Sequence, residues 1–238
     1  VLIDGRSVYT PLFSGVFWDV QDTLMEDIER IEVIRGPGAT MWGANAVNGV
    51  INIITKSAQE TQGPLVKFGS GSHEPYNAAA RYGHRIGADG AWRLYAKGFE
   101  RGPYLDQQGA DANDEWDALR AGFRMDLDLT AQDAIMLQTD IYEGDEKQTL
   151  DLPGTLSAPP EGLSAYDGEI SGASVLGRWR RAACDHCVLT AQVYFDHTRR
   201  EEVVLEEVRD TFDLDVQHQF LWMQRHEIVW GLGYRWTQ

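Results

Sequence analysis

The feature that most constrains this chain is a two-residue alternation held over runs of ten or more residues. From 119 to 130, Leu119, Ala121, Phe123, Met125, Leu127 and Leu129 fall on one side of an extended strand; Arg120, Gly122, Arg124, Asp126, Asp128 and Thr130 fall on the other. The pattern recurs: Ile135, Leu137 and Ile141 oppose Gln138 and Asp140, and Leu189, Ala191, Val193 and Phe195 oppose Thr190, Gln192, Tyr194 and Asp196. Phe212, Leu214, Val216 and Phe220 oppose Asp213, Asp215, Gln217 and Gln219, and Ile228, Trp230, Leu232, Tyr234 and Trp236 oppose Glu227, Gly231, Gly233 and Arg235. Soluble strands usually have ~5–6 residues, whereas a tilted strand crossing a bilayer needs ~9–11. A soluble sandwich would also bury one face of each strand in an interdigitated core. Ionised Arg and Asp on one face, with Trp and Tyr near the ends of the other, fit a membrane barrel with a wet interior.

The connections follow the same geometry. Short ones at 88–90, 130–133, 183–187 and 221–225 alternate with long ones at 102–115 and 144–169 and an intermediate one near 200–207. About nine strands are counted, from near Leu65 and Tyr76 onward, too few to close a large barrel. The predicted fold is mainly β, a partial antiparallel transmembrane barrel over 64–238 preceded by a small α/β unit over 1–63. In that unit, Leu24 and Ile28 suggest helical turns over 24–30 after a cap at Asp22 or Thr23. Strands are expected at 31–35 and 49–56, separated by Gly36-Pro37-Gly38. The chain opens and closes inside such patterns, which leads us to expect truncation at both ends.

A net charge of −16 argues against a nucleic-acid partner. Residues 1–63 carry four basic and eight acidic residues, so most of the acidity belongs to the strands and is expected on lumen and loop surfaces. No apolar run approaches the ~18 residues of a membrane-spanning helix. No Ser-His-Asp, paired-carboxylate or phosphate-loop constellation is present, so neither an enzyme nor a bound cofactor is expected.

Three stretches in order, 1–5 (Val-Leu-Ile-Asp-Gly), 28–37 (Ile-Glu-Arg-Ile-Glu-Val-Ile-Arg-Gly-Pro) and 42–56 (Trp-Gly-Ala-Asn-Ala-Val-Asn-Gly-Val-Ile-Asn-Ile-Ile-Thr-Lys), together resemble the second half of the plug domain of TonB-dependent outer-membrane receptors. Asn48 stands at one position of the family's usual Gly-Gly pair. The resemblance implies a plug within a barrel of about 22 strands in the bacterial outer membrane, in contact with its lipid. It further implies uptake of a ferric siderophore, another iron complex or a corrinoid, driven by TonB and its inner-membrane motor through an N-terminal segment. A passive barrel and a soluble β-sandwich enzyme or sugar-binding protein are the alternatives.

Within the plug motif, Arg35, Gly36 and Pro37 fix a strand exit, and Gly43 and Gly49 allow sharp turns or close backbone approach. Folding the plug is their expected role, in preference to touching ligand. The aromatic and hydroxyl-rich stretch 6–18 is, by resemblance, an apex facing the ligand. Tyr9, Thr10, Phe13 and Ser14 are the candidate contacts, against the plainer possibility that Phe13, Phe17 and Trp18 only pack plug against wall. Glu29, Arg30, Glu32 and Arg35 are expected to pair across to Arg93, Lys97, Arg120, Arg124 and Asp126 on the wall, or else to stand solvated in a wet lumen.

Two acidic stretches, Asp106, Asp111, Asp114 and Glu115, and Asp145, Glu146, Asp151, Glu161, Asp167 and Glu169, are expected as solvated loops in preference to a calcium site. Cys184 and Cys187 are the only cysteines, in a short turn placed on the periplasmic side. A local disulfide is expected there, with free thiols, a redox pair or an incomplete zinc site as the other options.

Overall fold

The computed structural model describes residues 1–43, 45–150, 164–184, 186–202, 205–223 and 225–238. Two sheets account for the strands. The first is small and four-stranded: β1 (Leu2–Ile3), β2 (Arg6–Ser7), β3 (Ile28–Arg35) and, after a short helix α1 (Ala39–Trp42), β4 (Gly49–Thr55). Its spatial order is β2-β1-β4-β3, with β1 parallel and β3 antiparallel to β4. Ile3, Val8, Val20, Leu24, Val50 and Ala58 are buried in and around it. The helical turns expected over 24–30 are replaced by a single 3-10 turn, Met25–Asp27, from which β3 leaves directly. Ile28 and Arg30 already pair with β4, so the ladder wins over local helical spacing.

The loop between β3 and β4 is closed by backbone bonds Gly36 N to Asn48 O, 3.0 Å, and Gly38 N to Ala46 O, 2.9 Å. Gly36 takes φ +98°, and Gly49, at φ +155°, lies against the Ile34 carbonyl where a Cβ would overlap. Arg35 ends β3 exposed to solvent.

The second sheet has nine antiparallel strands in sequence order: β5 (Gly63–Gly69), β6 (Tyr76–Ile86), β7 (Gly90–Arg101), β8 (Trp116–Asp128), β9 (Asp133–Leu150), β10 (Ser164–Cys184), β11 (Cys187–Glu202), β12 (Leu205–Trp222) and β13 (His226–Thr237). Its edges, β5 and β13, do not meet, so the sheet is open. One face carries Leu119, Ile141, Val175, Phe195 and Trp230, all exposed; the other carries Arg93, Arg120, Arg124, Tyr194 and Arg200, all buried against the small sheet and its loops. An exposed apolar face this extensive requires a non-aqueous neighbour. No helix among the described residues is long and apolar enough to cross a membrane, which leaves crossing by strands open.

Two expectations are corrected here. The long connection expected over 144–169 is strand at both of its ends, since β9 and β10 stay paired out to Leu150 and Ser164, and residues 151–163 lie outside the described residues; β11 and β12 likewise stay paired out to Glu202 and Leu205. Asp145, Glu146, Asp167 and Glu169 therefore stand on strands; Asp151 and Glu161 lie outside the described residues. The acidity is also not confined to lumen and loops. Glu100, Asp117, Asp145, Glu169, Glu201 and Glu206 are paired in succession across β7 to β12, on the same face as the apolar belt and beyond its end.

Candidate functional site

Residues 8–20 leave the small sheet and run to the end of the nine-stranded sheet, the wall, away from its short turns, where Thr10 meets Glu207 and Asp19 meets Arg200. A bridge between Thr10 and Gly15, with Thr10 N donating to Gly15 O at 2.8 Å, closes a tip that exposes Pro11, Leu12, Phe13 and Ser14. Ser14 adopts φ +57°, a conformation tight tips demand. Phe13 is 53% exposed and packs edge-on against Phe17, ring centroids 4.9 Å apart. Tyr9 and Ser14 face a cleft of about 220 Å³ that Tyr194, Arg209 and Arg235 line from the wall. An aromatic surface beside guanidinium and phenol groups suits a bulky, partly apolar ligand bearing anionic or polar oxygens. Thr10 differs from its three companions: it is fully buried, and its hydroxyl donates to Glu207 at 3.3 Å and accepts from Leu12 N. It shapes the tip and is not presented to the cleft.

The plug–wall ion pairs involve different plug residues from those expected on β3. Glu29, Arg30 and Glu32 pair among themselves at the surface, and no partner for Arg35 is found among the described residues. Acids in the irregular connections make the wall contacts instead. Asp27, 2% exposed, meets both Arg81 and Arg93, the latter at 3.1 Å. Asp22 takes Lys97 at 2.6 Å, and Asp4 lies 3.9 Å from Arg124, which is itself held by Asp126 at 2.8 Å. Arg6 reaches Asp196 at 3.1 Å, and Asp19 pairs with Arg200. Of the wall residues anticipated, Arg93, Lys97, Arg124 and Asp126 thus engage the plug, and Arg120 does so through the Val20 carbonyl. Asp126 also accepts from Ala58 N at 2.8 Å.

Three carboxyls of the plug are tuned by their partners, Glu32 among them, lowered first by its bond from Arg30. Glu60 is held below the ordinary carboxylate range by hydrogen bonds from the Ser57 hydroxyl and backbone N–H. Glu26 is lowered first by its bond from Lys67. Gly43 and Trp42 border a second opening between the small sheet and β11–β13. Cys184 and Cys187 form a disulfide in the turn between β10 and β11; the intervening Asp185 lies outside the described residues. Among the described residues, no group of three or more His, Cys, Asp or Glu side chains is arranged to hold a metal ion.

Residues 1–50 match the family described as TonB-dependent Receptor Plug Domain. Over 126 residues the chain is 35% identical to the vitamin B12 transporter BtuB of Vibrio cholerae serotype O1, covering 53% of this chain and 20% of that protein. Over 74 residues it is 40% identical to the ferric enterobactin receptor of Pseudomonas aeruginosa, covering 27% of this chain and 10% of that one. The chain spans a fifth or less of the length of these curated relatives. Among solved structures, the siderophore receptor PiuA from Acinetobacter baumannii superposes on 99% of this chain and 37% of its own, with a TM-score of 0.72 at 14% identity, a likeness of fold.

Proposed function

We propose, from the premise that this chain belongs to the TonB-dependent outer-membrane receptors, that it forms part of a gated importer of a scarce nutrient, a ferric siderophore or a corrinoid. Residues 1–63 act as plug and 64–238 as wall in this reading. The observation that carries it is the apex loop: the segment matching the plug family sends an aromatic tip to the wall end opposite the short turns, above a cleft with two arginines. Tyr9, Phe13 and Ser14 contact the ligand; Thr10 supports them. Arg35, Gly36, Pro37, Gly43 and Gly49 set the plug's own turn, and Cys184–Cys187 pins a periplasmic turn. TonB supplies the energy through a segment preceding the plug.

The polar character of the plug–wall contact supports gating, because a plug held by ion pairs can exchange its partners for water when pulled. The test is uptake by a receptor-deficient strain carrying the complete gene, supplied separately with ferric enterobactin and cyanocobalamin. One should be imported, in a manner that depends on TonB, and Tyr9→Ala with Phe13→Ala should weaken its capture. Import of either compound at equal rate without TonB would point to a passive barrel.

A further inference from the structure

Arg200, on β11, grips the apex loop at Phe17 and Asp19, on the far side of the tip from the Thr10–Glu207 bond. Its side chain is 7% exposed, and its guanidinium lies 4.1 Å from the centroid of the Phe17 ring and pairs with Asp19, both on the loop. From the wall, Glu202 approaches the same guanidinium at 2.5 Å and Glu146, on β9, at 3.4 Å. One cation, itself 7% exposed at the side chain, is thus shared by three carboxylates and an aromatic face. Phe17 in turn packs on Phe13, so the contact runs from Arg200 to the exposed tip without a gap.

We propose that Arg200 is the positioning residue of the apex loop, its charge fixing Phe17 and Asp19 and through them the tip at Pro11–Ser14 over the cleft, with Glu146 setting how firmly it holds. The consequence for ligand capture rests on the reading above; the clamp itself does not. A cation over an aromatic face and a charge-assisted hydrogen bond each gain strength in a desolvated setting. No other cation lies within pairing distance of Asp19 among the described residues.

Glu146 gives the clamp a pH response. The groups facing it are Asp19 from the loop and Arg200 and Glu202 from β11; its register partners on β8 and β10, Trp116 and Gly168, carry no charge. Nearby, β12 contributes Glu207 and Arg209, which lie 3.5 Å from each other. Beyond the last apolar residue of the outer belt on β9, Ile141, the outward positions are Glu143 and Asp145, so Glu146 stands outside the membrane-spanning part of the strand. Burial first, then Asp19, pushes its carboxyl up to about 7. A raised acid favours the closed clamp when protonated. The contribution is complete below the ordinary carboxylate range and is lost as pH rises to about 7, where a third negative charge crowds one guanidinium.

The experiment places a nitroxide at Leu12→Cys, on the exposed tip, in the complete receptor in outer-membrane vesicles without ligand, and measures the mobile fraction at about pH 5 and about pH 8. The parent should be more mobile at the higher pH. Arg200→Gln should raise the mobile fraction on the order of tenfold, the loss of one charged hydrogen bond. Arg200→Lys should restore part of the immobilisation, and Glu146→Gln should remove the pH response. Asp19→Asn removes the loop's partner without disturbing the wall, and should mobilise the tip even if Arg200→Gln fails to assemble. An immobile tip in Asp19→Asn, or a pH response that survives Glu146→Gln, overturns the proposal. If the tip is released as expected while Tyr9→Ala and Phe13→Ala leave capture of both test ligands intact, the clamp stands and the ligand-facing role of the loop fails.

Discussion

Asp27 offers the sharpest test of how the plug is seated. It is 2% exposed and is shared by Arg81 and Arg93, two wall arginines that are themselves 10% and 5% exposed at the side chain. Asp27→Asn keeps the shape and one acceptor but removes the acid that, among the described residues, pairs with both cations. Breaking a buried ion pair from one side costs about 3–5 kcal/mol, because the remaining charge stays desolvated. Arg93 keeps hydrogen bonds to the Lys56 carbonyl and to the Thr55 and Thr61 hydroxyls, whereas buried Arg81 Nε already lacks a partner. The lower end, about 3 kcal/mol, is therefore the better figure, and it converts to a rise on the order of a hundredfold in the population of plug opened from the wall. Amide hydrogen exchange on the complete receptor reads that population directly. Amides of β4 should exchange on the order of a hundredfold faster in the variant, and those of β8 and β9 at the parent rate. Exchange of β4 within about threefold of the parent would refute the argument, since it would mean that water already screens this site. Equal acceleration of plug and wall amides would refute it differently, by making Asp27 a support of the whole assembly.

Three further outcomes are expected. On β9 a spin label at Ile141→Cys should be accessible to oxygen and one at Asp145→Cys to a water-soluble nickel chelate, because the apolar belt ends between them; the reverse order would place the membrane elsewhere. Ser57→Ala, which removes the capping box with Glu60, should destabilise the plug by about 1 kcal/mol by chemical denaturation of β4. Because Glu60 is depressed in the folded state, its share of that stability is present above the ordinary carboxylate range and is lost as pH falls through its lowered value; a pH response unchanged in Glu60→Gln would deny the linkage. Cys184→Ser opens a very short covalent loop and should cost at most about 2 kcal/mol, leaving β10 and β11 paired and assembly intact by heat-modifiability on gels.

The strands were legible because one face is apolar and exposed while the other is polar and turned toward the small sheet, so Leu119 to Thr130 alternates in polarity as well as in direction. That signal fails where the outer neighbour becomes water. Gly144, Asp145 and Glu146 have the composition of a loop, yet the β9–β10 ladder continues through them, because backbone pairing needs no apolar face. The plug motif was legible in its glycines, which answer to backbone geometry. Its partners were not: the charges expected to pair, Glu29, Arg30, Glu32 and Arg35, stand on a recognisable strand, whereas Asp4, Asp19, Asp22 and Asp27 sit in connections with no period at all. Only the three-dimensional path of those connections brings them to Arg124, Arg200, Lys97 and Arg93.

Under the proposed gating, a seat built from ions bears on how such a plug can both seal and leave. Among the described residues, the buried apolar side chains that cluster, Met136, Leu176 and Tyr194, all stand on the wall itself. The joint between plug and wall is carried by acids of the plug against a wall whose inward positions on β6 to β8 include Arg81, Arg93, Lys97, Arg120 and Arg124. An apolar joint would cost about 25 cal/mol for each Å² exposed during displacement, with nothing returned until it closed again. Ion pairs behave otherwise, since water entering behind a moving plug solvates both charges and recovers much of what separation costs. Replacing Asp27, Arg81 and Arg93 together by Leu, Met and Met should therefore keep β4 protected from exchange to within about tenfold of the parent, because a packed apolar triad often matches a buried ionic one in stability while the Lys56 carbonyl and the Thr55 and Thr61 hydroxyls lose their bonds from Arg93. Energy-dependent uptake should nonetheless slow, as the plug would then resist displacement. Uptake at the parent rate with that protection kept would show that the ionic seat has no part in release.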